Sequence, residues 1–517
     1  MKRYFFLAIL IILTSNCTTA IYGQILPLPQ LVKKIENSVF TVYATDKNGK
    51  EFSQGSGFII GSNGVCITNF HVLENAQGGY VQNKNGEKFD ITKVIDYNAD
   101  CDLVKFRIDT KGRQFYTLPL SMTKPQKGEE LVSLSTPIGF EQTLSNGIVS
   151  SIRESELYGT VIQMTTPISH GSSGSPILNR KGEVLGVSTF GVERGQSLNF
   201  AVSTLNFSKI NKTQNVNVSD ITRDPLETPN IKKARSAILE GNYEMALKLV
   251  KSEYNINKDN HIACFLFGNI FVEIEEYKLA INALLDAIKL VPEKAEYFNL
   301  LGLAHRNNAD IEFRANRNAN DSFMFALQCY DEAIKLDNYP QAYFNKGNLM
   351  LQLFFTYKLL DKSSLYDAIN NFNACIQLNP YYETAYVQRA MAKGQLSDYW
   401  GAISDCDKAI EINPYFYRSY FTRGDIKGYF LKDREAGIKD LDIALSLVNA
   451  NEDKADILGQ KAYQETFWAL DLVNKDFGFA QSLLDDAKKN LQEAYNISGN
   501  NVYLDRLNEI PKITPSK

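Results

Sequence analysis

The chain has little of several things. Of its 517 residues only seven are cysteine, too few for a disulfide scaffold, and an odd number that leaves at least one unpaired. Histidine is scarcer: His71, His170, His261 and His305 are all there are, and no histidine or cysteine cluster has metal-ligand spacing. Neither a metal nor another cofactor is expected. Charge of one sign is also lacking. Fifty-five Lys and Arg against 59 Asp and Glu give a formal −4, so the field that nucleic acid demands is absent. Beyond the N-terminus, charges interrupt every apolar run before the ~20 residues that a bilayer span needs. What remains, 44% apolar and 22% charged, is the composition of folded protein and excludes a largely disordered chain. At roughly 150 residues per domain the length suggests about three domains, or two if one is an elongated array.

Lys2 and Arg3 precede an apolar run over residues 4–13, followed by small polar residues up to Ala20. A basic start, a short apolar stretch and a small-residue cleavage region read as a secretory signal over residues 1–23. Leu13-Thr14-Ser15-Asn16-Cys17 loosely resembles the bacterial lipobox, in which the cysteine is lipidated, although Asn16 departs from the usual Gly, Ala or Ser. Cleavage before Cys17 would leave a lipid anchor, and cleavage after Ala20 or Gly23 would not. Either way the chain is expected to be exported, periplasmic or extracellular, without a transmembrane segment once mature.

Residues 25–205 form a series of short alternating runs broken by Gly and Asn. Phe58-Ile59-Ile60, Gly61-Ser62-Asn63-Gly64 and Val65-Cys66-Ile67 read as strand, turn and strand, and Asn85-Gly86 and Lys181-Gly182 mark further turns. Many short strands at close spacing imply a closed or sandwiched all-β domain. Residues 206–230 turn polar, with Pro225 and Pro229, and read as a linker.

From residue 231 the period becomes helical and the chain repeats. Counting from His261, residues Gly268, Phe271, Ala280, Leu284, Ala287 and Pro292 fall at positions 8, 11, 20, 24, 27 and 32 of a 34-residue unit. That is the tetratricopeptide (TPR) pattern, in which small residues let paired helices approach. Gly302, Ala326, Tyr330 and Ala333 continue it with an insertion around residues 314–325. Gly347, Ala368, Phe372, Cys375 and Pro380 follow with a lengthened middle, and Ala390, Ala402, Cys406, Ala409 and Pro414 lie close to consensus. Gly424, Gly437, Leu441 and Ala444 fit with one extra residue, and a degenerate unit surrounds Gly241, Tyr243 and Ala246. The reading is an α-solenoid over 231–450, capping helices over 451–500 and a tail over 501–517. Cys375, Cys406, His261 and His305 are then packing residues of the repeats.

The chemistry-bearing residues lie in the β half. Thr68-Asn69-Phe70-His71-Val72 places a histidine just after a strand, Asp102-Leu103-Val104 an aspartate at the start of another, and Gly171-Ser172-Ser173-Gly174-Ser175-Pro176 a serine in a glycine-flanked loop. His, Asp and Ser in that chain order are the order of the chymotrypsin-type triad. A serine hydroxyl needs a neighbouring base, and the base needs an acceptor that fixes its tautomer. The glycines let the loop turn backbone N–H groups toward a developing oxyanion.

On these motifs, with Gly55-Ser56-Gly57-Phe58, Gly147-Ile148-Val149-Ser150 and Asn199-Phe200-Ala201-Val202, residues 50–205 resemble the secreted trypsin-like endopeptidases of the HtrA (DegP-like) type. The resemblance implies a multi-domain protein: a trypsin-like double β-barrel followed by an all-α TPR solenoid. It implies His71 as general base, Asp102 as its orienting acceptor, Ser173 as nucleophile, and the N–H groups of Gly171 and Ser173 as the oxyanion hole. Ile168 and the strand Ser188-Thr189-Phe190-Gly191 would line the specificity pocket. Ser175 resembles the glutamyl endopeptidases instead, but the strand lacks the histidine by which those hold a carboxylate. With no acid or base evident in the pocket, cleavage after small or medium aliphatic residues is expected.

Asp100 competes with Asp102, and Ser172 with Ser173. His170, beside the loop, is read as surface or substrate-lining, and a Cys66–Cys101 disulfide stays open against two buried thiols. HtrA-type relatives usually carry a PDZ domain where this chain has repeats, which suit binding an extended peptide or a partner protein. The expectation is a serine endopeptidase acting on polypeptides. The alternatives are an inactive, exported protein-binding scaffold and an esterase.

Overall fold

The computed structural model describes residues 25–136, 142–155, 158–169, 171–191, 199–210, 214–448 and 450–514. Cys17, the secretory signal and His170 lie outside the described residues. Strand β1 (Val39–Thr45) shows how the pattern becomes structure: Val39, Phe40, Val42 and Ala44 are buried while Thr41, Tyr43 and Thr45 are half-buried, a period of two with one face on a core. With β2 (Glu51–Gly61), β3 (Val65–Thr68), β4 (Gly78–Gln82), β5 (Lys88–Asn98) and β6 (Leu103–Ile108) it closes an antiparallel barrel in the order β1-β2-β3-β6-β5-β4. The turn between β2 and β3 needs Gly64: its φ is +81°, and a Cβ there would stand 2.6 Å from the Ile108 carbonyl oxygen.

Strands β7 (Glu130–Ser135), β8 (Thr143–Ser155), β9 (Gly159–Met164), β10 (Pro176–Leu178), β11 (Val184–Gly191) and β12 (Asn199–Ser203) close a second barrel in the order β7-β8-β9-β12-β11-β10, the connection order of the first barrel repeated. Phe40, Phe89, Phe106 and Val104 fill the first barrel, and Leu131, Ile162, Met164 and Ala201 the second. A third cluster, including Phe58, Cys101, Leu103, Val132, Leu178 and Val202, joins the barrels, roofed by helix α1 (Leu28–Ile35) through Leu31 and Ile35. Helix α2 (Phe70–Leu73) is a single turn on the first barrel.

The polar segment read as a linker is pinned to that barrel. The Val216 carbonyl accepts from the Val94 amide at 3.0 Å, the Ile221 carbonyl from the Asn75 amide at 2.9 Å, and Val218 and Ile221 enter the barrel's core. Its few apolar residues, spaced too widely to form a pattern, are what bind it.

Helical pairs then follow: α3 (Pro229–Glu240) with α4 (Tyr243–Ile256), α5 (His261–Glu273) with α6 (Tyr277–Leu290), α7 (Ala295–Arg314) with α8 (Asn320–Asp337), and α9 (Pro340–Phe355) with α10 (Ser364–Leu378). They continue as α11 (Glu383–Gln395) with α12 (Tyr399–Ile412), α13 (Tyr417–Asp425) with α14 (Arg434–Leu447), and α15 (Asn451–Leu472) with α16 (Phe477–Ser498). Small residues set the distance between partners. A Cβ on Gly268 would meet Leu284 at 2.4 Å, one on Gly302 would meet Tyr330 at 2.6 Å, and one on Gly347 would meet Phe372 at 2.9 Å. These three helix pairs thus each seat a bulky side chain in the space a glycine leaves.

Two departures from the repeat length are absorbed inside helices, whereas the lengthened middle after Gly347 falls mostly in the connection 356–363 between α9 and α10. The insertion expected between α7 and α8 instead lengthens both, to 20 and 18 residues. The one extra residue after Gly424 becomes a π-helical turn over Ile426–Phe430, the usual way a helix takes in a single insertion. The expected tail carries helix α17 (Asn501–Glu509), whose Tyr503 is buried against Gly459.

The two halves share one apolar core. Tyr158, Val161 and Phe200 of the second barrel cluster with Ile231, Ala234 and Ile238 of α3. No helix among the described residues is long and apolar enough to cross a membrane.

Candidate active site

Burial of Phe70, Val72 and Leu73 holds α2 on the barrel and leaves His71 at its outer edge, with 39% of its side chain exposed. Asp102 ends the turn after β5 and lies just ahead of β6, at a φ of +54° that non-glycine residues rarely adopt. Its carbonyl oxygen is fixed by two donors, Asn69 Nδ2 at 2.9 Å and the Phe70 amide at 3.1 Å. The carboxylate then faces α2. Oδ1 accepts from the His71 amide at 3.0 Å, and the His71 Nδ1 stands 2.8 Å from Oδ2 and 3.0 Å from Oδ1. With Nδ1–H given to the carboxylate, the neutral ring presents its Nε2 lone pair outward.

Desolvation lowers the His71 pKa, but the charge and hydrogen bond of Asp102 outweigh it, and the net shift is upward. For Asp102, desolvation would raise the pKa; the His71 charge and hydrogen bonds from His71 and Thr189 win, and it falls. Each residue stabilises the charged form of the other. Thr189, expected as pocket lining, donates its hydroxyl to Asp102 Oδ2 at 2.5 Å.

The serine loop is clamped between the barrels. The Ser173 carbonyl oxygen accepts from the Ser56 amide at 2.7 Å, and the Ser56 hydroxyl donates to the Gly171 carbonyl at 2.7 Å, both from β2. From the other side the Gly174 amide donates to the Ser188 carbonyl of β11 at 2.9 Å. Gly174 admits nothing larger: at a φ of +87°, its Cβ would lie 2.0 Å from the Ser56 carbonyl oxygen. Ser172 and Ser173 part company here. Ser172 is buried, its hydroxyl accepting from the Ser169 amide at 3.1 Å, whereas half-buried Ser173 donates its hydroxyl to the Thr189 carbonyl at 3.2 Å. No hydrogen bond joins Ser173 to His71 among the described residues. The amides of Gly171 and Ser173 donate to no acceptor among the described residues.

Of the expected pocket residues, Ile168 packs half-buried on the second barrel's core, and Ser188 is buried with its hydroxyl unpartnered among the described residues. Phe190 and Gly191 continue β11 by pairing with Phe200 and Asn199. Asp100 points elsewhere, to Arg235 of α3 at 3.2 Å. Cys66 and Cys101 are two buried free thiols, and burial pushes both up in pKa. Sequence reasoning missed Ser56 and Arg235, since neither stands in a motif that names its contact.

Residues 55–187 match the family described as trypsin-like peptidase domain, and residues 268–308 match the TPR repeat. Among curated proteins the chain is similar to serine protease HTR4 of Rattus norvegicus, with 34% identity over 164 residues covering 29% of this chain and 32% of that one. It is also similar to a probable periplasmic serine endoprotease DegP-like of Pseudomonas fluorescens, with 34% identity over 148 residues, 28% of this chain and 30% of that one. Among solved structures, a serine endoprotease from Yersinia pestis matches at 25% identity and a TM-score of 0.32, over 36% of this chain and 65% of that one. The chain thus spans about a third of the length of the curated relatives it matches. The double barrel is a trypsin-like peptidase domain with HtrA-type serine proteases as its relatives, joined to a region of TPR helices.

Proposed function

We propose that this chain is an exported serine endopeptidase whose helical repeats bind a polypeptide, either substrate or partner. The observation that carries the reading is the Asp102–His71 pair, which orients a neutral imidazole, together with Thr189, which bonds both Asp102 and Ser173. Ser173 Oγ leaves the Thr189 carbonyl for His71 Nε2, gives up its proton there and attacks the peptide carbonyl. The oxyanion forms against the amides of Gly171 and Ser173. His71 protonates the departing amine, then activates the water that releases the acyl group. Asp102 stays ionised throughout and balances the imidazolium. Ile168 and β11 from Ser188 to Gly191 bound the pocket for the residue before the cut, which we assign to small or medium aliphatic side chains. Export draws on the basic-then-apolar N-terminus and on the periplasmic relative.

One observation favours a second reading, a non-cleaving scaffold: the Ser173 hydroxyl engages Thr189 and not His71. A fluorophosphonate probe separates the two. The peptidase takes label on Ser173, loses it in Ser173→Ala, and cuts casein in preference to simple esters. A folded chain that takes no label is the scaffold.

A further inference from the structure

The helix that opens the solenoid reaches the segments carrying His71 and Asp102. A cavity of about 260 Å³ lies between them, with His71, Asp102, Thr189 and Tyr158 on the barrel side and Arg223, Lys232 and Arg235 on the other. Three salt bridges cross beside it, one of them from Lys232 Nζ of α3 to Glu74 Oε2 at 3.7 Å. Arg235 of α3 meets Asp100 Oδ1 at 3.2 Å, and Arg223, just ahead of α3, meets Glu74 at 3.1 Å with its guanidinium 4.9 Å from the Phe70 ring. Asp100 is two residues from Asp102, and Phe70 and Glu74 bracket the turn that carries His71.

Arg235 is held before Asp100 meets it. Its Nε lies 2.9 Å from Glu227, and both side chains are almost wholly buried. The helix is fixed by the shared apolar core of Ile231 and Ala234 with Tyr158 and Phe200. A surface ion pair usually contributes little because two mobile side chains must be ordered. Here one partner is ordered already, so the contact restrains the other. That other is the apex of a tight turn, in which Cys101 donates to Asn98 Oδ1 at 2.8 Å and the Asp102 amide to the Ala99 carbonyl at 3.2 Å. The turn ends on Asp102 in its left-handed conformation, which relaxes unless neighbours fix it.

The geometry points to Arg235 as a positioning residue: through Asp100, the first solenoid helix holds the turn that aims the Asp102 carboxylate at His71. The solenoid is thereby part of the peptidase's machinery as well as an appendage that binds. This rests on the serine-peptidase reading.

The test uses the full chain, a fluorophosphonate probe and a peptide ester. Arg235→Gln is expected to slow labelling of Ser173 and to lower kcat on the order of tenfold, with KM little changed. Arg235→Lys, which keeps the cation, recovers a large part. Arg153→Gln is the control: Arg153 Nη1 donates to the Leu239 carbonyl of the same helix but touches neither Asp100 nor α2. It is expected to lower Tm without slowing labelling. Wild-type labelling in Arg235→Gln overturns the inference, and so does equal slowing in Arg153→Gln, which would mean that any loosening of the interface suffices. A wild-type chain that takes no label overturns the peptidase reading, and this inference with it.

Discussion

The Thr189 hydroxyl donates to Asp102 Oδ2 at 2.5 Å while the Thr189 carbonyl accepts from Ser173 Oγ at 3.2 Å, so one residue of β11 touches both ends of the proposed relay. Thr189→Val keeps the shape and removes only the hydroxyl. A hydrogen bond to a buried charge is worth about 1.5–3 kcal/mol, so denaturant unfolding at neutral pH should show a loss of about 2 kcal/mol. Turnover should fall as well, because the carboxylate is less firmly aimed. Thr189→Ser should restore most of both, and a valine variant as stable and active as the parent would remove Thr189 from the relay.

In the proposed mechanism, protonation of His71 sets the acid limb of activity. Its pKa lies above the ordinary 6.5, and only the neutral ring can accept the serine proton, so kcat/KM should rise with pH through a midpoint above 6.5. Stability runs the other way. A raised pKa contributes stability in full below the unfolded value and loses it as pH climbs through the folded one. Asp102, lowered from 3.8, contributes above that value and loses its share as pH falls through its folded pKa. Asp102→Asn removes the charge that lifts His71, so the limb should move to lower pH while kcat drops by about 10⁴. A limb at or below 6.5 in the wild type would contradict the pairing.

The loop around Ser173 depends on Gly174. In Gly174→Ala the new methyl would stand 2.0 Å from the Ser56 carbonyl and 2.4 Å from Thr68 Oγ1, on a backbone at φ +87° that costs an L-residue roughly 1–2 kcal/mol. The barrels can survive this only by letting the loop move. The expected result is far-UV circular dichroism close to the parent's, a Tm several degrees lower, and no labelling of Ser173. Labelling at the parental rate would show that the clamp between Ser56 and Ser188 is dispensable.

Much of this arrangement was legible in the sequence because it is local. Gly64 in its turn and the glycines flanking Ser173 each announce a backbone requirement within a few residues, and Gly302 and Gly347 recur at one position of the repeat. What crosses the chain was not legible. Thr189 read as pocket lining because its position in a strand is local, whereas its hydroxyl's partner is 87 residues away. Arg235 drew no reading at all, since nothing near it in sequence marks Asp100. The polar stretch before α3 read as a tether because its composition is that of a tether, yet Val218 and Ile221 suffice to dock it.

The solenoid touches the barrels a second time, far along its length. Lys124, on the connection between β6 and β7, donates its amide to the Ile412 carbonyl at 3.2 Å, and its Nζ lies 3.3 Å from Glu383 and 2.6 Å from Glu154. Desolvation would lower the Lys124 pKa, but Glu383 and Glu154 reverse that and raise it. Lys124→Ala strands the Glu383 carboxylate, 8% exposed, with only Asn413 Nδ2 at 3.3 Å to serve it. A fully buried pair broken this way costs about 3–5 kcal/mol; with 22% of the lysine side chain in solvent, about 2 kcal/mol is expected. Glu383→Gln should cost less, since it leaves Lys124 its bridge to Glu154 and keeps an acceptor for Asn413. Hydrogen exchange locates the effect: faster exchange at α11, α12 and residues 122–128 in Lys124→Ala, with α3 and α4 unchanged because their own apolar core still holds them. If exchange quickened equally at α3, the two contacts would be one cooperative unit. Loosening the far end of the solenoid would then reach Arg235 and the turn that ends on Asp102.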